Sequence, residues 1–483
     1  MSFTATDAER LRAAANAAME DLRPSGFALG VVVGDDLAFA EGFGFADIES
    51  GTPQDPRLRQ RIGSITKTMV GLCTMALVDE GRLSLDDRIV DHVPEVAFQG
   101  DGGAIRLRHL LSHTSGIGEV AQLEDMRKDI TPTLWADAPD RDVLGLFPQG
   151  VLLEIAPETK WSYANLGFAL LGEVVARAEG RPIGEVLKRR VFDPLGMSAD
   201  LDDLPHPDLT TGYHRAPGEE AQEIAARDGT VLPQEPTVDG INIRGRYQYI
   251  RGGGAAGAVQ ATVPDMARYA SALLRRGAGI VRPESFARLV GPAWAPDERL
   301  ATWGLSFERD AKFGHWTFGH GGGVLGGWNS MLTVVPERNL ALVLHCNTAF
   351  DQFGKLVNRL TGALLDAPPA RLEGRAEGRM AEAAPGVFES LPGALTNFRI
   401  MGQMGRLQIK PEAGGLTLYA RRGPWKRGVR MVPAGAEDFF HLDDDDVAPS
   451  RLTLIRNAAG EVTGLRCDRL VEMRRSETVQ PWA

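Results

Sequence analysis

The chain has 483 residues, of which 43% are hydrophobic and 24% are charged. These are the proportions of a globular protein, and they exclude a disordered, collagen-like or coiled-coil chain. The formal net charge of −11 argues against general attraction to nucleic-acid phosphates or anionic lipid, so neither is an expected partner.

The N-terminal segment predicts a helix followed by a hairpin. Thr6 begins a capping-box pattern, and apolar residues recur at helical spacing over residues 11–22. Residues 27–33 and 38–45 are strand-like runs on either side of a Gly-Asp-Asp turn.

The middle of the chain is mostly helical. Helical patterns cover residues 64–80, 166–179 and 264–276, and a glycine that can end a helix follows each of them. Strand character returns in short apolar runs at residues 315–318, 328–335 and 340–346. Strands at both ends with helices between them predict one antiparallel sheet, covered by helices, in an α+β domain.

A second domain is expected after a linker. Residues 366–385 are rich in Ala, Pro, Arg and Glu, as linkers are. Beyond them, evenly spaced short strands separated by turn residues predict a small antiparallel β-barrel. The expected strands are residues 386–390, 397–401, 405–410, 416–421, 428–432, 438–442, 451–456, 462–467 and 470–474. We therefore expect domains at residues 1–365 and 386–483.

No metal or cofactor is expected from the sequence. Cys73, Cys346 and Cys467 are too far apart for a CxxC metal knuckle or a disulfide framework. His109 and His113 lack the Glu of an HExxH motif and a third ligand, so a structural role is expected. We also find no signal peptide and no apolar run long enough to span a bilayer. The expected compartment is the cytoplasm, unless an export signal has been removed, and no membrane partner is expected.

Ser64 and Lys67 form the first candidate motif. The helix after Ser64 is apolar on all sides, which indicates a buried helix. Lys67 lies in its first turn, where a buried ammonium is costly unless it is paired or partly deprotonated. A serine one turn away from such a lysine can be an activated nucleophile. The alternative is a helix cap with a lysine that reaches water, because a lone SxxK is common by chance.

The second motif is Tyr163-Ala164-Asn165, in a loop directly before the next apolar helix. A tyrosine whose pKa is lowered by nearby cations can act as an acid or a base. The alternatives are an interface aromatic for Tyr163 and a helix N-cap for Asn165.

The third motif is His320-Gly321-Gly322-Gly323, next to an expected strand. Consecutive glycines allow close approach to the backbone and leave N–H groups uncovered, as an oxyanion hole requires. The alternative is a flexible hairpin turn with a surface histidine.

In this order and with these gaps, the three motifs resemble the serine β-lactamase and penicillin-binding-protein superfamily. The resemblance is closest to its class C-like branch of family VIII esterases, D-aminopeptidases and D,D-peptidases, and it covers residues 10–360. Residues 110–117 are similar to a loop of that branch. The tail resembles a lipocalin-like domain. The resemblance implies a sheet flanked by helices, an all-helical subdomain and a C-terminal lipocalin-like barrel.

The resemblance also implies roles for the motif residues. Ser64 would attack a carbonyl carbon and become acylated, and Lys67 would help to take its proton. Tyr163 would be the general base of acylation, and Asn165 would position the substrate and Lys67. The backbone N–H groups of Ser64 and Gly323 would form the oxyanion hole.

The third motif would also bind substrate, and His320 stands where many members of the superfamily have lysine. A neutral imidazole attracts a substrate carboxylate less strongly than a lysine does. This favours an esterase or a D-amino-acid-type peptidase or amidase acting on small molecules or short peptides. A β-lactamase or D,D-carboxypeptidase is a lesser alternative.

The barrel supplies the main competing hypothesis, a non-catalytic binding or scaffold protein that acts through its C-terminal domain. In superfamily members with an added barrel, a loop can reach the cleft, and barrels can mediate oligomers. We expect residues 421–430 or 443–446 to approach the cleft. The sequence does not decide whether the protein forms a homo-oligomer.

Overall fold

A helix-flanked sheet and a closed barrel follow one another along the chain. The computed structural model describes residues 3–118, 144–146, 150–201, 204–229, 232, 240–247, 249–250, 252–391, 404–435, 438–468 and 470–477. Within these ranges, no helix has both the length and the apolar character needed to cross a membrane.

The helices lie mostly between the two halves of the sheet. They are α1 (Ala5–Leu22), α2 (Thr66–Asp79), α3 (Ile89–His92), α4 (Leu107–Leu111), α5 (Asn165–Glu179), α6 (Ile183–Leu187), α7 (Asp193–Leu195), α8 (Gly218–Asp228), α9 (Gly254–Gly257), α10 (Val263–Leu274), α11 (Pro283–Val290), α12 (Phe353–Leu365) and α13 (Gly378–Ala383). In the capping box of α1, Thr4 and Asp7 bond to each other's backbone N–H. The prediction of Thr6 as the cap is wrong, because the helix begins earlier.

The strands before the barrel belong to one large sheet and several short ones. They are β1 (Gly26–Val33), β2 (Asp36–Asp47), β3 (Thr52–Pro53), β4 (Gln60–Arg61), β5 (Phe98–Gln99), β6 (Val151–Leu152), β7 (Asp200–Leu201), β8 (Tyr213–Ala216), β9 (Ile241–Arg244), β10 (Val259–Ala261), β11 (Thr302–Trp303), β12 (Glu308–Lys312), β13 (His315–Val324), β14 (Trp328–Val335), β15 (Leu340–Cys346) and β16 (Thr348–Ala349).

The large sheet joins the two ends of its domain. Its eight strands have the order β11-β12-β13-β14-β15-β1-β2-β3. Strand β1 pairs antiparallel with β15, with Val31 opposite Leu342. Helix α10 covers one face, where Met266 and Val343 share a core. Helices α1 and α12 cover the other face through a second core. The predicted fold class, an antiparallel sheet flanked by helices with a barrel after it, is confirmed.

The C-terminal strands close into an eight-stranded antiparallel barrel with its own apolar core. They are β17 (Gly386–Ser390), β18 (Leu407–Glu412), β19 (Gly415–Ala420), β20 (Val429–Pro433), β21 (Phe439–Leu442), β22 (Arg451–Arg456), β23 (Val462–Cys467) and β24 (Val471–Arg475). The strand expected at residues 397–401 lies outside the described residues. The linker expected at residues 366–385 contains α13, and the division at residues 1–365 and 386–483 stays a prediction.

Charged side chains connect the barrel to the sheet. Arg451 of β22 donates to Asp310 of β12 and, at 2.8 Å, to Asp468 at the end of β23. Arg299 donates to Asp438 at 3.1 Å nearby. These contacts fix which edge of the barrel faces the large sheet.

Candidate active site

Ser64 stands at the start of the buried helix α2, in a single 3₁₀ turn (Gly63–Ile65). Lys67 is the second residue of α2 and is fully buried, whereas Ser64 is half-buried. Lys67 Nζ donates a hydrogen bond of 2.9 Å to Ser64 Oγ. A partly open hydroxyl is thus held against a buried amine, which is the arrangement of an activated serine nucleophile. Because its ammonium is enclosed, Lys67 does not have the water-exposed position considered as an alternative.

Lys67 has further oxygen acceptors from distant parts of the chain. Its Nζ donates to Asn165 Oδ1 at 2.7 Å and to the carbonyl oxygen of Ala256 at 2.5 Å. With Ser64 Oγ, these oxygens match the three N–H donors of an ammonium. Ala164, not Asn165, is the N-cap of α5. The N-cap alternative for Asn165 is therefore wrong, because its side chain bonds to the lysine.

Tyr163 lies in the same pocket. Its side chain is buried, and its ring centroid is 5.0 Å from Lys67 Nζ. Trp161 and Trp303 surround the ring, with centroids 6.1 Å and 6.0 Å away. The structure therefore brings the hydroxyl, the amine and the phenol of the first two motifs together.

The third motif lies within β13, a strand that is longer than the apolar run at residues 315–318 predicts. His320 is buried, and its ring centroid is 6.2 Å from that of Tyr163. His320 Nδ1 is 2.5 Å from the carbonyl oxygen of Gly321. Because a carbonyl only accepts, Nδ1 carries a proton in this contact. The alternative of a surface histidine is wrong, since the ring faces the aromatic pocket.

The backbone of the 3₁₀ turn that contains Ser64 packs directly against the backbone of the glycines in β13. Gly63 has a φ of +57°, and a Cβ added there would stand 2.8 Å from the backbone nitrogen of Gly323. A Cβ added to Gly322 would stand 2.0 Å from the carbonyl oxygen of Ile62. Only glycines permit this approach. It places the Gly323 backbone beside the turn that carries Ser64.

The barrel closes one side of the pocket. Leu470, in the turn between β23 and β24, packs against the cluster of Trp161, Tyr163 and Trp303. A small cavity behind Trp161 is lined on its barrel side by residues that include Glu472. The barrel therefore contributes an apolar wall to the surroundings of Tyr163.

The two barrel segments expected at the cleft make their contacts elsewhere. Asp445 accepts a hydrogen bond from Asn358 of α12, and Arg430 bonds within the barrel and to the linker. These contacts do not bring Arg430 or Asp445 to the cleft, and the approach of residues 421–430 or 443–446 to the cleft stays a prediction. The loop that faces the cleft depends on how the barrel docks, which no local sequence pattern specifies.

Two residues at the site were missed by the sequence reasoning. Leu470 was predicted as the first residue of a strand, but it lies in the turn before β24 with a φ of +57°, a conformation that no local pattern indicates for leucine. His113 was assigned a structural role, but its ring lies against Tyr163, with 4.1 Å between the centroids. Its place in a loop similar to one of the superfamily was the signal that could have identified it.

His109 and His113 do not form a metal site. His109 Nε2 bonds to Glu158, and His113 Nδ1 bonds to the backbone of Ala164. Over the described ranges as a whole, no three His, Cys, Asp or Glu side chains are placed to hold a metal ion.

A family model described as Beta-lactamase matches residues 11–365. The chain belongs to the beta-lactamase family. The match covers all three motifs and ends at the last residue of α12, before the barrel begins.

Individual relatives in the beta-lactamase family are distant. Esterase EstB of Burkholderia gladioli is 28% identical over 252 residues, which is 47% of this chain and 59% of the esterase. Penicillin-binding protein 4 of Amycolatopsis lactamdurans is 30% identical over 361 residues, which is 69% of this chain and 84% of that protein. This chain thus spans 59% of the esterase's length and 84% of the second relative's.

One solved structure is similar along nearly the whole chain. The octameric penicillin-binding protein homologue from Pyrococcus abyssi superposes with a TM-score of 0.60 at 20% identity. The alignment covers 97% of this chain and 99% of that one. At this identity the likeness is one of fold, and it extends over most of the barrel.

Proposed function

We propose that this protein is a serine hydrolase that cleaves ester or amide bonds of small substrates through an acyl-enzyme on Ser64. The contact of 2.9 Å between Lys67 Nζ and Ser64 Oγ, beside Tyr163, carries this proposal. A hydroxyl, an amine and a phenol in one pocket can exchange a proton, and this activates the hydroxyl as a nucleophile.

In the acylation step, Ser64 Oγ attacks the carbonyl carbon of the substrate. The bond from Oγ to carbon forms, and the Oγ proton passes to the pair of Lys67 and Tyr163. The bond to the leaving alcohol or amine then breaks, and Tyr163 returns the proton to the leaving group. Asn165 holds Lys67 in place throughout, through its Oδ1 acceptor.

In the deacylation step, water attacks the acyl carbon. Tyr163 takes a proton from the water, the bond to Ser64 Oγ breaks, and the proton returns to Oγ. The products are the carboxylic acid and the regenerated serine.

The oxyanion of both steps is bound by the backbone N–H groups of Ser64 and Gly323. The close packing of Gly63 on Gly323 supports this assignment. Donors that are fixed before the reaction cost no reorganisation, and each typically lowers the barrier by about 3 kcal/mol.

The substrate proposed is an ester or amide with an apolar group and without the carboxylate that β-lactams and D,D-peptides carry. Trp161, Trp303 and Leu470 supply apolar surface around Tyr163. His320 replaces the usual lysine, and its Nδ1 is engaged by the carbonyl of Gly321. An imidazole is a weaker partner for a carboxylate than a lysine.

The test is a chromogenic panel on wild type, Ser64→Ala and a control variant. The panel contains p-nitrophenyl acetate, p-nitrophenyl butyrate, D-alanine p-nitroanilide and nitrocefin. Ser271→Ala is the control, because it also removes a buried hydroxyl but one that bonds to Asp35, in the turn between β1 and β2. We expect Ser64→Ala to abolish turnover of esters or the anilide, and Ser271→Ala to retain it.

Three outcomes contradict the proposal or its substrate class. Full turnover by Ser64→Ala would place the chemistry elsewhere. Absence of turnover in folded wild type across the panel, with a partner bound through the barrel, would favour the scaffold hypothesis. Turnover of nitrocefin alone would favour a β-lactamase.

A further inference from the structure

His113 is tied to the backbone on both sides of Tyr163. Its carbonyl oxygen accepts a hydrogen bond from Ser162 N at 2.8 Å. Its Nδ1 accepts one from Ala164 N at 3.1 Å. One residue therefore binds the backbone N–H groups of the two residues that flank the tyrosine.

The imidazole also supports the tyrosine ring. The two ring centroids are 4.1 Å apart, with an angle of 33° between the planes. The imidazole packs on Phe168 and Trp303 as well, at 5.1 Å and 5.2 Å. Tyr163 thus contacts both this ring and Lys67 Nζ, which is 5.0 Å from its centroid. A displaced imidazole would leave the tyrosine ring without this support.

We infer that His113 is a positioning residue that sets the location of the Tyr163 phenol. The inference rests on the proposed function, since it concerns the tyrosine as the acid and base of that reaction. Because Nδ1 accepts the Ala164 N–H, the imidazole is neutral and carries its proton on Nε2. It acts through Tyr163 and is not itself a proton carrier in the reaction.

The backbone of His113 has a φ of +57°, a conformation that favours Gly and Asn. Two variants can therefore replace the imidazole without adding backbone strain. His113→Gly removes the imidazole without backbone strain. His113→Asn keeps an acceptor near the position of Nδ1 and also tolerates this φ.

His109 supplies the matched control. It is also buried, and its Nδ1 also accepts a backbone N–H, that of Arg106 at 3.1 Å. Its ring partners are Arg106, at the start of α4, and Glu158, and neither belongs to the cluster of Trp161, Tyr163 and Trp303. His109→Ala therefore removes a buried imidazole of the same kind without touching the tyrosine.

The experiment measures kcat and KM with a substrate that depends on Ser64. A displacement of about 1 Å can cost about a hundredfold in rate, so we expect His113→Gly to lower kcat by about that factor. We expect KM to change by less than about threefold, because the ground-state contacts of the substrate are kept. His113→Asn should recover most of kcat, and His109→Ala should retain it.

A double-mutant cycle with Tyr163→Phe separates positioning from a general structural effect. In a Tyr163→Phe background, His113→Gly should cause little further loss, because residues that act as a unit are non-additive. Additive losses, or equal losses in His113→Gly and His109→Ala, would overturn the inference. A His113→Asn variant that folds but is no better than His113→Gly would also overturn it.

A measurement on the unmodified protein covers the case in which His113→Gly does not fold. The ¹⁵N chemical shifts of the His113 ring should show the neutral form protonated on Nε2. A proton on Nδ1 would overturn the inference. If Ser64→Ala retains turnover, the proposed function fails; if Ser64→Ala is inactive and His113→Gly has normal kcat, the inference alone fails.

Discussion

At the scale of single residues, the site depends on one buried lysine. A fully buried ammonium is unstable in a protein unless oxygen acceptors surround it. Lys67 receives such acceptors from Ser64, Asn165 and the carbonyl of Ala256. The hydrogen bond that stabilises the amine therefore also holds Ser64 Oγ in place.

Asn165→Ala tests this coupling. Removal of Oδ1 deprives the buried amine of one acceptor, at a cost of about 1–3 kcal/mol. We expect the acylation rate constant to fall by about 10- to 100-fold in stopped-flow measurements with a p-nitrophenyl ester. Asn358→Ala, which removes an amide at the barrel contact, is the control and should keep the wild-type rate. An unchanged rate in Asn165→Ala would exclude a role for its amide.

His345 is a buried residue whose effect is on stability. It lies in β15 on the face that packs against α10, and neither ring nitrogen has a protein partner among the described residues. Burial lowers the pKa of His345 to about 4, although nearby Asp265 acts in the opposite direction. Since the pKa of an exposed histidine is about 6.5, the unfolded chain takes up a proton that the folded chain does not. The contribution of neutral His345 to the free energy of unfolding is fully present above about pH 6.5 and is lost as the pH falls toward 4.

His345→Leu provides the measurement. The free energy of unfolding in urea is compared between wild type and variant at pH 7 and pH 5. We expect the difference between the two proteins to shift by about 2 kcal/mol in favour of the variant at pH 5. A difference that does not depend on pH would show that His345 is not buried in its neutral form.

At the scale of elements, the critical contact is between the turn that precedes α2 and strand β13. Gly63 and Gly322 have no room for a Cβ, because the opposing backbone fills the space. The contact also includes the side chain of Ser330 in β14, whose Oγ donates to the carbonyl oxygen of Ile62 at 2.7 Å. It fixes the distance between Ser64 and the proposed oxyanion donor Gly323.

Gly63→Ala tests the contact, with Gly51→Ala as a control for backbone strain. Gly51 has a φ of +68° but nothing within 4 Å of an added Cβ, whereas Gly63 has φ +57° and an atom at 2.8 Å. Both variants carry the strain of a positive φ, which costs about 1 kcal/mol. We expect Gly63→Ala alone to lose at least about tenfold in kcat, since one oxyanion donor is displaced. Equal kcat values for the two variants would contradict the account.

Strand and helix positions could largely be predicted because they follow local patterns. Residues 386–390 and 462–467 were predicted as strands with the bounds that the structure has. The predicted run at residues 315–318 was too short, because the glycines that continue β13 carry no apolar signal. Thr6 was predicted as the cap because Glu9 follows it three residues later, whereas the cap in the structure is Thr4, which pairs with Asp7. The convergence of the three motifs came from a resemblance to a family, since no local rule places residues 64, 163 and 320 together.

At the scale of the whole molecule, the barrel is part of the surroundings of the active site. Asp468 accepts from the backbone N–H of Ala301 and from Arg451, and Leu470 follows two residues later. The ion pairs at the interface therefore determine where Leu470 meets the aromatic cluster. The sequence could not show this, because docking depends on residues that are far apart in the chain and that form no motif.

Arg451→Met tests how firmly the two parts are joined. The exposed fractions of the Arg451 and Asp310 side chains are 12% and 7%, so removal of the cation deprives the buried carboxylates of Asp310 and Asp468 of their guanidinium partner and leaves Asp310 with Lys312 at 3.4 Å. Breaking such a pair costs about 3–5 kcal/mol. Arg299→Met is the control, because its side chain is 42% exposed and such pairs contribute about 0–1 kcal/mol. Urea unfolding should show the larger loss for Arg451→Met, and equal losses would mean that the buried network does not hold the barrel.

The most direct test of the account is covalent labelling of Ser64. Wild type is incubated with a p-nitrophenyl alkylphosphonate, and the products are identified by intact-protein and peptide mass spectrometry. If Ser64 is the nucleophile, one phosphonyl group per chain is expected on the peptide that contains Ser64, and none on Ser64→Ala. Folded wild type that stays unlabelled, or Ser64→Ala labelled to the same extent, would contradict it.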